Sequence, residues 1–376
     1  MNRILLRGLI SLVLCFGAAA STIIAQSTSV VKTAPIKWED CMNQKPEWYS
    51  SDEAVRIADN VLLYQRDIDG WFKNIDMAAV LTENEKDDII KQKGNEDSTI
   101  DNGATYTQVA YLAKVYTARK LERHRDAFFK GVDYLLKAQY ENGGWPQYYP
   151  KLKGYYKHIT FNDNAMINVM RVLRDIALKK PDYTFVDDDH RAKAEKAVGN
   201  GIECILKTQV VVGGKRTVWG AQHDEVTLAP APARKYEPPS LSTPDSVGIV
   251  RFLMGIKNPN RQVVESIESA VAWFEKSKLT GIMWIKKPNP SKPSGYERSV
   301  IKDPDAPPLW ARFYEITTNR PIFIGRDSIV KYSVAEIEEE RRNGYQWYVT
   351  TPARLLYEDY PVWQKKRVGG KESTKN

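Results

Sequence analysis

The chain has 376 residues, 42% of them hydrophobic and 27% charged, with a formal net charge of +8. That length and apolar share suit one large domain, or two, with a sizeable core, and exclude a disordered polypeptide. With only 4 His and 3 Cys in the sequence, zinc hydrolysis is unsupported.

The N-terminus reads as an export signal. Arg3 and Arg7 give a positive start, Leu9 through Ala20 an apolar run too short for a comfortable membrane span, and Ile24-Ala25-Gln26 a cleavage site. Cys15 is not preceded by the small residues of a lipoprotein signal, so cleavage is expected rather than a lipid anchor. The expected organisation is a signal over 1–25, a folded domain over 26–364 and a polar, disordered tail over 365–376. Removing Arg3 and Arg7 leaves 53 basic against 47 acidic residues, a net +6. An exported monomer of that charge favours acidic polysaccharide or an anionic surface over nucleic acid or a membrane, although +6 is equally an ordinary solubility charge.

The first helical pattern runs from Ala54 to Tyr64 and leads through Gln65 to Asp69-Gly70-Trp71. Asp101-Asn102-Gly103-Ala104-Thr105 opens a second, Thr105 to Arg119, with Val109, Leu112, Ala113 and Tyr116 at helical spacing. A third, Asp126 to Gln139, ends before Gly143-Gly144-Trp145-Pro146-Gln147. Tyr148, Tyr149, Tyr155 and Tyr156 then precede Asp163-Asn164-Ala165-Met166, which opens Met166 to Ala177. Ala192 to Gln209 leads to Val218-Trp219-Gly220. The Pro-rich stretch Leu228 to Pro244 follows, and an irregular segment of that length inside a domain points to function. Asp245/Ser246 starts Asp245 to Ile256, and Val263 to Lys276 precedes Ile282-Met283-Trp284. Val334 to Arg342 reads as a helix with a solvated charged face, closed by a left-handed cap near Gly344.

Trp71, Trp145 and Trp219 fall at two equal steps, with Trp284 after a shorter one, and Gln65, Gln139 and Gln209 approach the first three. Such a period marks a helical hairpin that buries its apolar face against its neighbours. The fold is therefore expected to be mainly α, closed as an α/α toroid or left open as a solenoid. Asp101, Asp163 and Asp245 recur at one phase, so the starts of their helices should gather at one mouth. Taken alone, each Asp-Asn pair reads as a helix N-cap. No GxGxxG, P-loop or GxSxG element occurs, which speaks against nucleotide and α/β-hydrolase chemistry. Cys41 and Cys204 leave room for one long-range disulfide in an oxidising compartment.

Taken in order, several segments carry a family resemblance. They are Asp101-Asn102-Gly103-Ala104-Thr105, Gly143-Gly144-Trp145-Pro146-Gln147, Phe161-Asn162-Asp163-Asn164-Ala165-Met166 and Ala233-Arg234-Lys235-Tyr236-Glu237. They continue with Asp303-Pro304-Asp305-Ala306-Pro307-Pro308-Leu309-Trp310-Ala311-Arg312-Phe313-Tyr314, Asn319-Arg320-Pro321-Ile322-Phe323 and Gly325-Arg326-Asp327. Together they resemble the pectate lyases of family 10 of the polysaccharide lyases, over nearly the whole chain past the signal. The resemblance implies an incomplete α/α toroid that cleaves α-1,4-linked polygalacturonate by calcium-assisted β-elimination, releasing unsaturated oligogalacturonates. It also implies that Asp101, Asn102 and Asp163 are metal-proximal and that Arg234 is the base. Arg320, Arg312, Arg326 and Lys235 become candidates for holding substrate carboxylates, Arg320 first.

The residue types suit that chemistry. Taking a C5 proton α to a carboxylate requires the developing negative charge to be offset, which a hard cation on several oxygen ligands does. Arginine acts as a base only where its surroundings disfavour the cation, and guanidinium forks match carboxylates. Arg312, on an expected helix beside Phe313 and Tyr314, reads equally as a structural ion pair, and Trp145 reads as core. Two other functions stay open: an inverting glycoside hydrolase using Asp101 and Asp163, and a pectate-binding protein in which Arg234 is inert.

Overall fold

The computed structural model describes residues 36–372, so the expected signal over 1–25 lies outside the described residues. The helices are α1 (Asp52–Tyr64), α2 (Glu83–Lys91), α3 (Tyr106–Arg119), α4 (Glu122–Lys137), α5 (Ala165–Ala177), α6 (Asp188–Thr208), α7 (Thr243–Met254), α8 (Arg261–Ser277), α9 (Glu339–Gly344), α10 (Thr351–Arg354) and α11 (Tyr360–Glu372). Helices α3, α5 and α7 are buried over most of their surface, whereas α1, α4, α6 and α8 bury one stripe. Burial sorts them into two layers. The first three lie against one another on the inside, and α4, α6 and α8 back them as the second arms of hairpins α3–α4, α5–α6 and α7–α8. Helix α10 packs on α7 and continues the ring. The result is an α/α toroid.

The outer helices α1, α4 and α6 are each tied to the connection that follows by the same hydrogen bonds. The buried indole N–H groups of Trp71, Trp145 and Trp219 donate to the carbonyls of Val61, Leu135 and Ile205 at 2.8, 2.7 and 2.7 Å. Gln65, Gln139 and Gln209 each donate across their own turn and to a carbonyl of the next outer helix, at Ala127, Ala197 and Ser266. In the fourth unit this place belongs to Trp310, which donates to Phe274 at 2.8 Å, and not to the expected Trp284. A β-hairpin inserted after α8 carries Trp284 away from the phase.

The strands are short: β1 (Ile159–Thr160), β2 (Val211–Val212), β3 (Lys215–Arg216), β4 (Gln222–His223), β5 (Leu241–Ser242), β6 (Ile282–Pro288), β7 (Tyr296–Lys302), β8 (Trp310–Ala311), β9 (Phe313–Tyr314), β10 (Pro321–Ile324), β11 (Val330–Lys331) and β12 (Tyr348–Val349). All pairings are antiparallel: β1 with β4, β2 with β3, β6 with β7, β8 with β12, and a sheet ordered β11-β10-β9-β5.

Three local expectations are corrected. Val334 to Arg342 is not one helix: buried Ile337 is extended and separates a 3-10 turn (Val334–Glu336) from α9. That helix ends on an extended Tyr345, with no left-handed cap at Gly344. Arg312 lies between β8 and β9, not on a helix, because its neighbours are tied into two different sheets. Cys41 and Cys204 are both buried and free. Helix α11 runs past residue 364, where the domain was expected to end, to Glu372; its own Trp363 is buried, and its Arg367 pairs with Glu268 of α8 at 3.1 Å.

Candidate active site

The Asp-Asn pairs at the starts of α3 and α5 do not cap their helices. Neither start shows a side-chain cap, and the residues just before the helices, Thr105 and Asn164, have φ of 63° and 58°. Each pair lies instead in a 3-10 turn, Asp101–Gly103 or Asn162–Asn164, whose middle residue is left-handed: Asn102 at φ 49° and Asp163 at φ 52°. Such angles are uncommon for non-glycine residues, although Asn and Asp adopt them more readily than most. The two turns adjoin in the fold. Asn102 and Asp163 therefore occupy matching positions, and the sequence echo of the two pairs is offset by one residue.

Asp163 is half-exposed and densely contacted. Its amide donates to Asp245 Oδ1 at 3.0 Å, Asn162 Nδ2 donates to its Oδ2 at 2.8 Å, and Arg312 Nη2 lies 3.8 Å from its Oδ1. Asp245 is buried and accepts from the Ser242 hydroxyl at 2.5 Å. Burial pushes Asp245 up to about 6, against the pull of Arg312 and Ser242. Arg312 is fixed from both sides: its amide donates to the Trp347 carbonyl at 2.7 Å, and its carbonyl accepts from Thr243 at 2.9 Å. The guanidinium lies 4.9 Å from the Tyr345 ring centroid. Burial pulls its pKa down, but Tyr345, Asp245 and Asp163 outweigh burial and hold it above the ordinary range. Its Nε is buried without a partner.

Arg234 sits in the Pro-rich stretch, in a turn closed by the Glu237 amide donating to the Arg234 carbonyl at 2.8 Å. Its Nε donates to Glu237 Oε2 at 2.8 Å and its Nη2 to Oε1. These bonds hold Arg234 above the ordinary guanidinium range. Burial pushes Glu237 up, but the Arg234 bonds outweigh it and hold the carboxyl low. The Tyr236 ring is shared by three guanidiniums, Arg234 at 5.3 Å, Arg326 at 4.8 Å and Arg341 at 4.5 Å from its centroid. Arg326 also pairs with Glu340 at 2.8 Å. Arg341, expected on a solvated face, is buried, lies 4.1 Å from the Tyr345 centroid and has an unpartnered Nη2. Burial pulls its pKa down. The aromatic residues just after it, Tyr345 and Trp347, were the signal that its face is inward.

On the other flank, buried Asp101 is ion-paired with Lys73, a residue the sequence reading missed. Burial pulls the Lys73 ammonium down, and Asp101 outweighs it and holds the charge on. Lys73 Nζ lies 5.8 Å from the Tyr148 centroid, Tyr148 packs 4.3 Å from Tyr156, and Tyr156 lies 4.8 Å from Tyr155. Asn102 Nδ2 donates to Asn74 Oδ1 at 3.1 Å. Lys235 is exposed. Arg320 does not join this cluster: it lies at the β9–β10 turn, 3.6 Å from the Tyr332 centroid, with its carbonyl bound to the Glu315 amide.

Among the described residues, three-residue acidic groups converge at His158, Asp224 and Glu225 and at Asp187, Asp189 and His190, not at Asp101 and Asp163. Both groups are engaged otherwise, since Glu225 pairs with Lys157 at 2.8 Å and Asp187 caps α6. Asp101 is committed to Lys73. Half-exposed Asp163 and the amide oxygen of Asn102 do fit as hard oxygen donors, but they fall short of the six to eight that calcium takes, so substrate and water must supply the rest.

The sequence profile of the pectic acid lyase family matches residues 65–356. The chain belongs to that family. Two solved structures of a family 10 polysaccharide lyase from Cellvibrio cellulosa, one of them an aspartate mutant in complex with trigalacturonic acid, are 34% identical to this pectic acid lyase. Each alignment covers 83% of this chain and 93% of the other, with a TM-score of 0.71. A comparison with curated proteins gives no match. Among the described residues of this lyase, no helix is long and apolar enough to cross a membrane.

Proposed function

We propose that this lyase cleaves polygalacturonate by β-elimination at the mouth built from Asp163, Arg312, Arg341 and Arg234. The observation that carries this reading is a pair of orphaned donors: Arg312 Nε and Arg341 Nη2 are buried there without acceptors. A buried charged donor left unpaired is costly, and the acceptor that fits a guanidinium fork is a carboxylate. Trigalacturonic acid, bound by the Cellvibrio relative, is a chain of such carboxylates.

The C5 proton of a uronate lies α to its carboxylate. Arg312 and Arg341 would hold that carboxylate and offset the negative charge that grows as the proton leaves. Arg234 takes the proton, the C5–H electrons form the C4–C5 double bond, and the glycosidic oxygen departs from C4. Arg234 serves as a base only once its bonds to Glu237 break; Arg326 and Arg341 on the same Tyr236 ring then disfavour its cation. Calcium held by Asp163 and Asn102 with substrate oxygens would supply further charge neutralisation. Asp101, bound to Lys73, positions the neighbouring turn. Carboxylate docking passes from Arg320 to Arg312, with Arg326 at the rim and Lys235 in solvent. The 1–25 signal supports export.

The test is the ultraviolet absorbance of the unsaturated product during incubation with polygalacturonate, with and without EGTA, for the native protein and Arg234→Ala. A calcium-dependent rise lost in the variant is expected. Chain shortening without that absorbance would make the protein a hydrolase, and binding without reaction would make it a pectate-binding relative.

A further inference from the structure

The β6–β7 hairpin that interrupts the Trp repeat is anchored at its base and cationic further out. Trp284 lies 5.2 Å from the Tyr348 ring of β12, centroid to centroid. Asn343 of α9 fixes the outer half: its Oδ1 accepts from the Arg298 amide at 2.9 Å, and its Nδ2 donates to the Tyr296 carbonyl at 2.9 Å. Lys286 and Arg298 stand directly opposite each other on the two strands. Strand alternation puts them on one face with Pro288 and Tyr296, and puts Lys287 and Glu297 on the other. Lys286 Nζ lies 3.9 Å and the Arg298 guanidinium 5.9 Å from the Tyr296 centroid. Like charges directly opposite in a sheet destabilise it.

No acid answers this pair. Among the described residues, neither Lys286 nor Arg298 forms a side-chain hydrogen bond or ion pair, while Glu297 and Glu339 are taken by Arg342 at 3.4 Å and Lys292 at 2.7 Å. Arg298 Nε is buried without a partner, but the residue is only half-buried and its terminal nitrogens are not closed off. Arg298 and Tyr296 line a cleft of about 400 Å³ whose wall continues through Gly344 to Tyr345. The same Tyr345 ring packs on the mouth guanidiniums, its centroid 4.9 Å from Arg312 and 4.1 Å from Arg341. The cleft and the mouth therefore share one aromatic wall.

We propose that Arg298, with Lys286 beside it, binds a second carboxylate of the polygalacturonate chain, on a uronate beyond the one held by Arg312 and Arg341. The inference rests on the pectate-lyase reading of the mouth. The inserted hairpin extends the groove with a cationic subsite that contributes affinity and no chemistry. A carboxylate accepting from the Arg298 fork also relieves the repulsion between the two cations.

The test measures kcat and KM on polygalacturonate for the native protein, Arg298→Ala, Arg298→Lys, Lys286→Ala and Lys287→Ala. Arg298→Ala is expected to raise KM about tenfold, the scale of one lost charged hydrogen bond, with kcat within about twofold, as for binding lost equally from ground and transition states. Arg298→Lys should recover part of the loss, because it keeps the charge without the fork. Lys286→Ala should raise KM about fourfold, and Lys287→Ala should stay within about twofold. The two lysines differ in face and not in charge, so a general attraction for a polyanion would move both alike. Lys286→Ala removes a repulsion and should hold or raise the Tm, so its KM decides the result even where Arg298→Ala loosens the hairpin. An unchanged KM in Arg298→Ala, or equal shifts in Lys286→Ala and Lys287→Ala, would overturn the subsite and leave elimination at the mouth standing. No unsaturated product from the native protein would instead sink the reading of the mouth, and the subsite with it.

Discussion

On the outside of the ring, α1, α6 and α8 begin at Ser51, Asp187 and Asn260, whose side chains accept the amides of Ala54, His190 and Val263 at 3.1, 2.9 and 2.9 Å. On the inside, α3 and α5 follow Thr105 and Asn164, both left-handed and both without a side-chain cap. A side-chain cap contributes about 1 kcal/mol, and a left-handed non-glycine residue costs on the order of 1–3 kcal/mol. These two inner starts forgo the first and carry the second, whereas the third inner helix, α7, follows an extended Ser242. What they gain is direction: Asp163 turns out of its helix toward Arg312, and Asn102 toward Asn74. The same residue types thus stabilise helices at the back of the ring and present oxygens at its mouth.

The largest effect that tests this contrast is expected at Arg312. Arg312→Ala should lower kcat/KM for polygalacturonate by about a thousandfold, the scale of removing a preorganised donor from developing charge. Arg312→Lys should recover only part, because an ammonium keeps the charge and loses the fork. Arg320→Ala, at the far turn beside Tyr332, should stay within about threefold. Initial rates of unsaturated product for the three variants decide it: a larger loss at Arg320 than at Arg312 would return carboxylate docking to Arg320.

Much of this was legible in the sequence, and its failures have causes. Helical periodicity placed the paired helices because apolar stripes are local, and the Trp and Gln repeat proved to be a real hydrogen-bond repeat. The phase failed at Trp284 because an inserted hairpin preserves spacing only roughly, and only the bond to Phe274 identifies Trp310. Residue type and phase placed Asp101 and Asp163 just ahead of two neighbouring inner helices. Their left-handed turns were not legible, since nothing in Asp-Asn separates a cap from a 3-10 turn. Arg341 and Lys73 were missed for a common reason: a charged residue reads as solvated until a long-range partner, here the Tyr236 ring or Asp101, is known.

The next effect depends on pH. His223 lies beneath the Pro-rich stretch, fully buried, with its Nδ1–H donating to the Leu228 carbonyl at 2.8 Å and its Nε2 accepting from the Gly220 amide at 3.0 Å. Burial pulls its pKa down to about 4, and the bond to Leu228 only partly opposes this. Above about pH 6.5 the ring is neutral folded or unfolded. Between there and about 4 the unfolded chain binds a proton that the folded chain refuses, so stability falls with falling pH, by up to about 3 kcal/mol. Outside the ring, His124 is also lowered by burial, but Asp59 at 2.8 Å opposes the shift. NMR titration of both rings checks the contrast: His223 should stay neutral below the pH at which His124 protonates, and the reverse order would break it.

Gly248 tests whether the inner start is enforced from behind. A Cβ there would come within 1.6 Å of Asn164 Oδ1, so Gly248→Ala must displace that amide or the helix. Destabilisation of about 2 kcal/mol is expected from overpacking, with activity falling alongside because Asn164 follows Asp163 directly. Chemical denaturation and initial rates on one preparation measure both, and a stable variant with lost activity would mean that Asn164 acts on substrate instead of on packing.

The smallest effects separate the two kinds of helix start most cleanly. Ser51→Ala and Asn260→Ala each remove a cap on the outer layer and should cost about 1 kcal/mol in denaturation, with kcat/KM within about twofold. Asn102→Gly does the opposite. Glycine accepts a φ of 49° without the penalty that asparagine bears, so stability should hold or rise slightly. The amide oxygen is lost, however, and the calcium concentration needed for half-maximal rate should rise. If Asn102→Gly instead lowered stability while sparing the calcium requirement, its left-handed turn would be structural, and the inner and outer starts would differ in shape alone.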